Sequence, residues 1–341
     1  MSGVLRVDLD AFAANLREIA ERVAPATHML VVKDDAYAHG IEPIVRRAWI
    51  EGVRWFGAFD VRTGLAVREV LGDDARIFVW IVATAEEAAE AVAAGLDVGV
   101  GDPLLLEDVA AVGGTARVHL KIDTGLHRNG VRPEDWPQFT ARAAEHEAAG
   151  AIEVVGIWSH IAEASDAEDD ASRAVFDEAV HVAEAAGLRP RLRHLAASAA
   201  SFAWPEFRYD LVRVGAFAYG IRPADGPAES ELGIRPIASL VAPVEGVADG
   251  VVRIGLGSLD GLPSTLAGVL TIATEGGVRM LHAVDATAST VDGWPGATAG
   301  DEVVVLGAGA ELSATDAAER IGTIGEEIAL RISPLVRREY R

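Results

Sequence analysis

Short apolar runs alternate with longer amphipathic stretches from about residue 10 to residue 223. Several of the apolar runs are near-continuous Val, Ile and Leu, which is typical of strands buried on both faces. The predicted strands are 27–33, 54–60, 76–81, 96–100, 116–123, 153–160, 192–198 and 211–220. Seven stretches with apolar residues at helical spacing accompany them. Eight strands and seven helices in alternation predict an α/β fold, specifically a (β/α)8 TIM-type barrel.

A doubly wound parallel sheet is the alternative architecture for this alternation. Such a sheet usually has a Gly-rich phosphate-binding turn directly after its first strand. The segment that follows the first predicted strand is VVKDDAYAHG (31–40), which has no such turn. The sequence therefore favours the barrel.

The pattern changes after about residue 230, where β-rich segments with glycine turns occupy 238–255, 264–286 and 301–307. One short helix is predicted at 315–322 and one more strand at 326–333. The segment 221–236 is rich in Pro, Gly and acidic residues, which indicates a junction. We expect a barrel domain over 1–228 and a C-terminal β-rich domain over 229–341.

Composition limits the classes of partner and site. The chain has 30 basic and 52 acidic residues, a net charge of −22, which argues against nucleic acid or an anionic membrane surface as partner. The absence of cysteine excludes disulfides, thiolate metal sites and cysteine nucleophiles, and we expect no metal site. No apolar run of about 20 residues and no N-terminal secretory pattern is present, so we expect a cytoplasmic protein without a membrane span.

The C-terminal ends of barrel strands face the active site in this fold. These ends carry Lys33, Lys121, His160, Ser198, Arg213, Gly215 and Ala216, and the fifth strand leads on to Arg128. So many amine, guanidinium, imidazole and hydroxyl groups on one rim indicate a functional site. The structural alternatives are a salt-bridge network at the barrel mouth and an ion pair between Arg213 and Asp210.

A lysine in a dry site can form a Schiff base, which is the chemistry that pyridoxal 5′-phosphate (PLP) requires. Arg213 is placed to contact the pyridine nitrogen and keep it unprotonated. Backbone N–H groups and hydroxyls bind a phosphate. The candidate phosphate ligands are Tyr37, Ser198, Gly215 and Ala216.

Five segments resemble the successive motifs of the alanine racemase family: VVKDDAYAHG, VHLKIDTGLHRNGV, GIWSHIAEASD, HLAASAA and LVRVGAFAYGIRP. The tail from AGDEVVVLG to LVRREY is similar as well, so the resemblance covers nearly the whole chain in order. It implies a fold-type III PLP enzyme, with a barrel and a β domain, that interconverts L-alanine and D-alanine. It also implies a head-to-tail homodimer with active sites at the interface.

The resemblance assigns roles by position. Lys33 would be the Schiff-base lysine and the base on one face of the substrate Cα. Arg213 would contact the pyridine nitrogen with support from His160, and Arg128 would bind near the PLP phenolic oxygen and the substrate carboxylate. Lys121 would match the lysine that is carbamylated in many members. The phosphate would be held by Tyr37, Ser198, Gly215 and Ala216.

The sequence departs from the family where the partner subunit usually contributes a second base, a tyrosine in a G-Y-x-D-G loop. The corresponding stretch IGLGSLDG (254–261) has Ser258 or Leu256 at that position, and none of the four tyrosines of the chain lies there. Ser258 is one candidate replacement; a water, His160 or an acid such as Asp260 are the alternatives. Glu326 stands where a phosphate-binding tyrosine is usual, and its charge would repel a phosphate. Further departures are Asp34-Asp35, Ala197 and Ala283-Val284-Asp285.

Three functions are compatible with this combination. The first is a PLP-dependent amino-acid racemase with an altered second base. The second is a one-base PLP enzyme on the same scaffold, such as an aldolase, decarboxylase or transaminase-like enzyme. The third is a non-catalytic PLP-binding protein. Retention of Lys33, Arg128 and Arg213 favours an enzyme, and the racemase is the function that the sequence predicts.

Overall fold

The computed structural model describes residues 3–163 and 165–341. The chain divides into two compact units. One, the barrel unit, consists of Ile19–Lys33 and Ala48–Gly215. The other, the β unit, consists of the segment up to Glu18 together with Asp34–Arg47 and Ala216–Arg341. The domain division at residues 228 and 229 stays a prediction.

Sixteen strands are present in the described residues. In chain order they are β1 Val4–Val7, β2 Thr27–Val31, β3 Trp55–Asp60, β4 Arg76–Ile81, β5 Asp97–Val100, β6 Ala116–Lys121, β7 Ile152–Trp158, β8 Leu192–His194, β9 Leu211–Val214, β10 Ala238–Ala248, β11 Val251–Ile254, β12 Thr271–Thr274, β13 Gly277–Val284, β14 Ser289–Asp292, β15 Glu302–Gly307 and β16 Arg337–Tyr340.

The barrel unit is built on an eight-stranded parallel sheet in the order β8-β7-β6-β5-β4-β3-β2-β9. Backbone hydrogen bonds from Asp210 N to Arg193 O and from Arg213 N to Ala196 O, both 3.1 Å, join the two outer strands and close the barrel. The predicted parallel barrel of eight strands is confirmed. Its interior contains a buried cluster of large apolar side chains: Met29, Trp55, Phe78, Trp158 and Leu211.

The helices of residues 9–203 follow the predicted alternation. They span Leu9–Val23, Ile41–Ile50, Val61–Leu71, Ala85–Ala93, Pro103–Ala111, Trp136–Ala148, Asp166–Ala185 and Ser198–Ala203. Several begin at a side-chain cap, as at Asp60 and Asp102, each of which accepts a hydrogen bond from a backbone N–H of the first turn. Among the described residues no helix combines the length and apolar character that crossing a bilayer requires.

The β unit contains the second eight-stranded sheet, in the order β11-β14-β13-β12-β15-β10-β1-β16. Strand β10 also pairs with β11, so six of these strands form a closed ring, and β1 extends it antiparallel to β10. The β-rich C-terminal domain is therefore confirmed in character. The sequence pattern did not reveal β1, β14 or β16.

One predicted strand of the β unit is wrong. The segment 326–333 is not a strand but lies largely in the helix Gly325–Arg331, which follows the correctly predicted helix at Ala314–Arg320. Ile328 and Ala329 are buried along one face of this helix. An apolar run of this length does not distinguish a strand from a buried helix, because both patterns fit a short window.

The segment Asp34–Ala38 is a left-handed helical turn. Its five residues, none of them glycine, have φ values between 52° and 64°. The turn is closed by backbone hydrogen bonds from Ala38 N to Asp34 O and from Gly40 N to Asp35 O, both 2.9 Å. Aspartate tolerates the left-handed conformation better than most residues. The two acidic residues after Lys33 are thus suited to the backbone that they occupy.

The strain in this turn is testable at Asp34, whose side chain is exposed. Because glycine adopts a positive φ without steric conflict, we expect Asp34→Gly to raise the free energy of unfolding by about 1 kcal/mol. Asp34→Val should lower it, since a β-branched side chain fits this conformation poorly. Urea unfolding followed by tryptophan fluorescence measures both. Equal destabilisation by the two variants would show that the turn is not strained at this position.

Candidate active site

The chain contains only two lysines, Lys33 and Lys121, and both lie at the C-terminal ends of barrel strands. Lys33 follows β2 by two residues, and Lys121 is the last residue of β6. His160 follows the end of β7 by two residues, and Arg213 lies within β9. Parallel strands direct these ends to one rim, so the barrel unit brings the predicted residues to the same end of the barrel.

Electrostatics show that four cations converge on His160. Burial first, and then the charges of Arg213, Arg128, Lys121 and Lys33, lowers the pKa of this imidazole to about 3. The ring is therefore neutral at pH 7, and its Nδ1 accepts a hydrogen bond from Arg213 Nη2 at 3.3 Å. A neutral imidazole surrounded by several basic groups favours an anionic ligand in this pocket.

Arg213 is buried, with 5% of its surface exposed, and carbonyl oxygens hold its guanidinium. Nη1 donates to His194 O at 2.9 Å, and Nη2 donates to Ser159 O at 2.7 Å and to Leu195 O at 2.9 Å. Burial first, and then the charge of Arg128, lowers its pKa to about 9. In the described residues Nε–H has no hydrogen-bond acceptor, so this donor is available to a ligand.

The structural alternative for Arg213 is not found. Asp210 pairs instead with Arg193, whose Nε donates to Asp210 Oδ2 at 2.7 Å. Within residues 3–163 and 165–341 no carboxylate lies at ion-pair distance from Arg213. The guanidinium thus keeps its charge without a direct anionic partner, at a position where a ligand nitrogen can accept from it.

Lys121 is an unusual amine, with only 4% of its surface exposed. Its Nζ donates to the Asn129 side-chain oxygen and lies 4.4 Å from the centre of the Trp158 ring. Burial first, and then the charges of Arg128 and Arg213, lowers the pKa of Lys121 to about 7. A substantial fraction of this amine is therefore neutral and nucleophilic near neutral pH.

A hydroxyl and a backbone amide form a polar pair at the end of β9. Gly215 N–H donates to Ser198 Oγ at 3.2 Å, and Ser198 begins the helix Ser198–Ala203. Nearby, Ala200 N–H donates to the Glu163 carboxylate at 2.9 Å. Hydroxyl and amide donors of this kind bind a phosphate, whereas the neighbouring carboxylate opposes one.

The β unit holds the other predicted phosphate ligands. Tyr37 is buried and packs against Tyr219 with ring centres 4.6 Å apart. Burial first, and then the charges of Glu326 and Asp34, raises the pKa of Tyr37, while the Ala216 backbone amide acts in the opposite direction. Within this unit the Tyr37 hydroxyl, the Ala216 amide and the Glu326 carboxylate are therefore neighbours.

Ser258, the predicted replacement base, also lies in the β unit. It is exposed and begins the one-turn helix Ser258–Asp260, while Leu256 is buried. Its backbone N–H donates to Asp285 O at 2.8 Å. Among the residues that the structure describes, nothing hydrogen-bonds its hydroxyl, so no neighbouring base activates it. A catalytic role for Ser258 stays a prediction.

Two residues beside Arg213 were missed from the sequence. His194 Nδ1 faces Arg213 Nη1 at 3.1 Å, and Trp158 stacks on His194 with ring planes 6° apart. Both side chains are buried in the barrel unit. Their position at the ends of β7 and β8 was the available signal, since strand-end residues face the site in a barrel.

Comparison with known proteins decides the family. The family model "Alanine racemase, N-terminal domain" matches residues 7–223, and "Alanine racemase, C-terminal domain" matches residues 244–340. The chain belongs to the alanine racemase family. It is 36% identical to the alanine racemase of Thermobifida fusca (strain YX) over 371 residues, covering 98% of this chain and 97% of that protein. The alanine racemase of Salinispora arenicola (strain CNS-205) is 37% identical, with 98% and 97% covered.

Solved alanine racemase structures share the fold. The enzyme from Streptomyces coelicolor A3(2) matches with a TM-score of 0.95 at 34% sequence identity, covering 99% of this chain and 98% of that chain. The enzyme from D-cycloserine-producing Streptomyces lavendulae matches with a TM-score of 0.92 at 32% identity, covering 100% and 97%.

Alanine racemase family enzymes use PLP. The donor set of the barrel unit fits this cofactor. Lys33 supplies the amine for its aldehyde, Arg213 supplies a free Nε–H for its pyridine nitrogen, and Ser198 with Gly215 supplies donors for its phosphate. No group of three or more His, Asp or Glu side chains in the described residues is arranged to hold a metal ion.

Proposed function

We propose that this chain is a PLP-dependent alanine racemase that interconverts L-alanine and D-alanine. The observation that carries the proposal is the convergence of Lys33, Lys121, Arg128 and Arg213 around the neutral His160 on the barrel rim. The family membership supports it independently. Bound PLP withdraws electron density from the Cα of an attached amino acid, which makes the Cα proton easier to remove.

The residues of the barrel unit would have separate roles in cofactor binding, proton transfer and substrate binding. Lys33 would hold the cofactor covalently and would move a proton on one face of Cα. Arg213 would donate to the pyridine nitrogen and, as a cation, would keep it unprotonated. Arg128 binds the substrate carboxylate, and His160 holds Arg213 by accepting from Nη2. Ser198 and Gly215 bind the phosphate, together with Tyr37 and Ala216.

The second face of Cα is where this chain differs from its family. Ser258 is the proposed proton carrier, and a serine without a paired base is a weak one at neutral pH. Loss of one general base typically reduces a rate by about 10²–10⁴-fold. We therefore propose a slow racemase.

Proton NMR in D2O tests the function directly. The purified protein with PLP is given L-alanine and D-alanine separately, and α-deuterium and the chirality of the product are measured. Conversion of either enantiomer into the other, with α-deuterium, supports racemisation. No exchange at all would contradict the proposal, and the non-catalytic PLP-binding protein would then be the better description.

The absence of a tyrosine in 254–261 favours one alternative, a one-base PLP enzyme. The same experiment separates it from a racemase, because one base acts on a single face of Cα. Exchange of the α-proton with retained chirality is its expected signature. Ser258→Ala should then leave the exchange rate unchanged, whereas in the racemase it should remove inversion.

The assembly and location are also proposals. A head-to-tail homodimer follows from the family resemblance, and light scattering coupled to size-exclusion chromatography measures the mass that decides it. A mass of one chain, 35.8 kDa, at micromolar concentration would contradict the dimer. The absence of cysteine supports a cytoplasmic location.

Lys121 is proposed to be carbamylated, as the family resemblance implies. Its pKa of about 7 leaves the neutral amine that carbon dioxide requires, and the Arg128 charge would stabilise the product carbamate. With ¹³C-bicarbonate at pH 8, we expect a carbamate ¹³C resonance that is absent from Lys121→Gln. If the resonance is present in Lys33→Met and absent from Lys121→Gln, the carbamate is on Lys121. A spectrum without this resonance would show that Lys121 remains a free amine.

Glu326 should weaken binding of the cofactor phosphate. The charge of Glu326 acts on the Tyr37 hydroxyl. A carboxylate and a phosphate repel each other, and the repulsion is stronger in a partly buried site than in water. We expect Glu326→Gln to tighten PLP binding by about tenfold, measured by fluorescence quenching. Glu327→Gln, an exposed neighbour on the same helix, is the matched control. Equal affinities for the Glu326 and Glu327 variants would remove Glu326 from the phosphate site.

A further inference from the structure

A row of buried polar side chains continues behind Arg213 into the barrel interior. His194, His119 and Asp97 are all completely buried. Arg213 Nη1 lies 3.1 Å from His194 Nδ1, and His194 Nε2 lies 2.8 Å from His119 Nδ1. His119 Nε2 in turn lies 3.3 Å from Asp97 Oδ2. Four side chains from strands β5, β6, β8 and β9 therefore form one continuous hydrogen-bonded chain, here called the interior relay.

The direction of the hydrogen bonds follows from the chemistry of the two ends. A guanidinium has only donors, so His194 Nδ1 accepts and the ring proton of His194 is on Nε2. His119 Nδ1 must then accept from His194, which places the His119 proton on Nε2. The Asp97 carboxylate accepts that proton's hydrogen bond. One arrangement of protons, with two neutral imidazoles, satisfies every member of the relay.

A charged His119 does not satisfy the relay. An imidazolium would donate from Nδ1 to His194 Nε2 and force the His194 proton onto Nδ1, where it would face the Arg213 donor. Asp97 is also already paired with two cations, Arg76 at 2.5 Å and Arg117 at 2.6 Å. A third cation beside this one carboxylate would leave unbalanced positive charge in the interior.

We propose that Asp97 and His119 are positioning residues for the proposed reaction. They fix the Nε2–H tautomer of His194, which then offers Nδ1 to Arg213 Nη1 and holds the guanidinium in place. The inference rests on the proposed function only for the role of Arg213. The relay supplies the guanidinium with an acceptor while it keeps the negative charge of Asp97 two imidazoles away from the cofactor nitrogen.

Nitrogen NMR of the full chain tests the relay without any cofactor. In protein labelled with ¹⁵N-histidine, we expect the ring proton to be on Nε2 in both His119 and His194, as the hydrogen-bond geometry requires. Resonances are assigned by comparison with His119→Asn and His194→Gln. An imidazolium at His119, or an Nδ1–H tautomer at His194, would overturn the inference.

A matched pair of variants tests the positioning role. His119→Asn keeps an acceptor oxygen that can serve His194, whereas His119→Leu has a similar size and no acceptor. We expect kcat of the Leu variant to fall about tenfold below that of the Asn variant, with KM for alanine changed less than about twofold. Arg117→Gln removes an ion pair of Asp97 without breaking the relay and should resemble the unsubstituted chain in kcat.

The outcomes separate the two proposals. Equal kcat values for the Leu and Asn variants, with equal thermal unfolding, would overturn the positioning role. If the unsubstituted chain does not racemise alanine, the proposed function fails, and the tautomers alone then decide whether the relay exists. If the Leu variant does not fold, the tautomers of the unsubstituted chain still support or overturn the inference.

Discussion

Replacement of Lys33 by methionine should abolish covalent attachment of PLP and reduce racemisation by about 10⁴-fold, because one amine both holds the cofactor and moves a proton. Borohydride reduction followed by peptide mass spectrometry detects the attachment. The chain offers an unusually clean control, since Lys121 is the only other lysine. Lys121→Met should retain the adduct on Lys33.

The two lysine variants show which amine binds PLP covalently. An adduct that persists in Lys33→Met and is lost in Lys121→Met would assign the cofactor to the second lysine, whose pKa of about 7 also permits imine formation. An adduct on neither lysine in the unsubstituted protein would contradict covalent PLP binding. Because both amines lie at the same end of the barrel, the experiment tests the residue and not merely the location of the site.

The second large effect concerns stability in acid. His28 in the barrel unit and His39 in the β unit are buried, with 9% and 4% of their surfaces exposed, and burial lowers the pKa of each to about 4. Unfolding returns each imidazole to its ordinary pKa of about 6.5. Between these two values the unfolded chain binds more protons, so the free energy of unfolding falls as the pH falls through this range. Each histidine contributes a loss of about 3 kcal/mol by pH 4.

Urea unfolding at pH 7, 6, 5 and 4 measures this loss. His28→Leu should flatten the pH dependence by about one histidine's share, and it also removes a ring nitrogen, Nε2, that lacks a hydrogen-bond partner in the described residues. His181→Gln, at an exposed position, is the control and should leave the slope unchanged. A slope in His28→Leu as steep as in the unsubstituted chain would show that His28 does not carry the effect.

The barrel was predictable because its strands are buried on both faces and therefore appear as near-continuous apolar runs. The fourth strand in chain order, Arg76–Ile81, has the predicted bounds. The helix at Gly325–Arg331 was not predictable, since its apolar residues fit a strand equally well over so short a span. The strands β1 and β16 are four residues long and pair with each other although they lie at opposite ends of the sequence, so no local sequence pattern predicts the pairing.

The sequence by itself determined the class of the site. Lysine, arginine and histidine at the ends of successive apolar runs must meet at one rim once those runs form a parallel barrel. The electrostatic state of these groups was decided only by the tertiary structure. The neutral His160, the low pKa of Lys121 and the free Nε–H of Arg213 arise from burial and from charges brought in by other strands.

The interior relay is another feature that only the tertiary structure determined. His119 and His194 are 75 residues apart in the chain, and each by itself is an unremarkable buried histidine. Only closure of the barrel places them in line between Asp97 and Arg213. Sequence order therefore determined which chemical groups the barrel would contain, and long-range packing determined which of them share protons, because hydrogen bonds depend on distances that local sequence does not set.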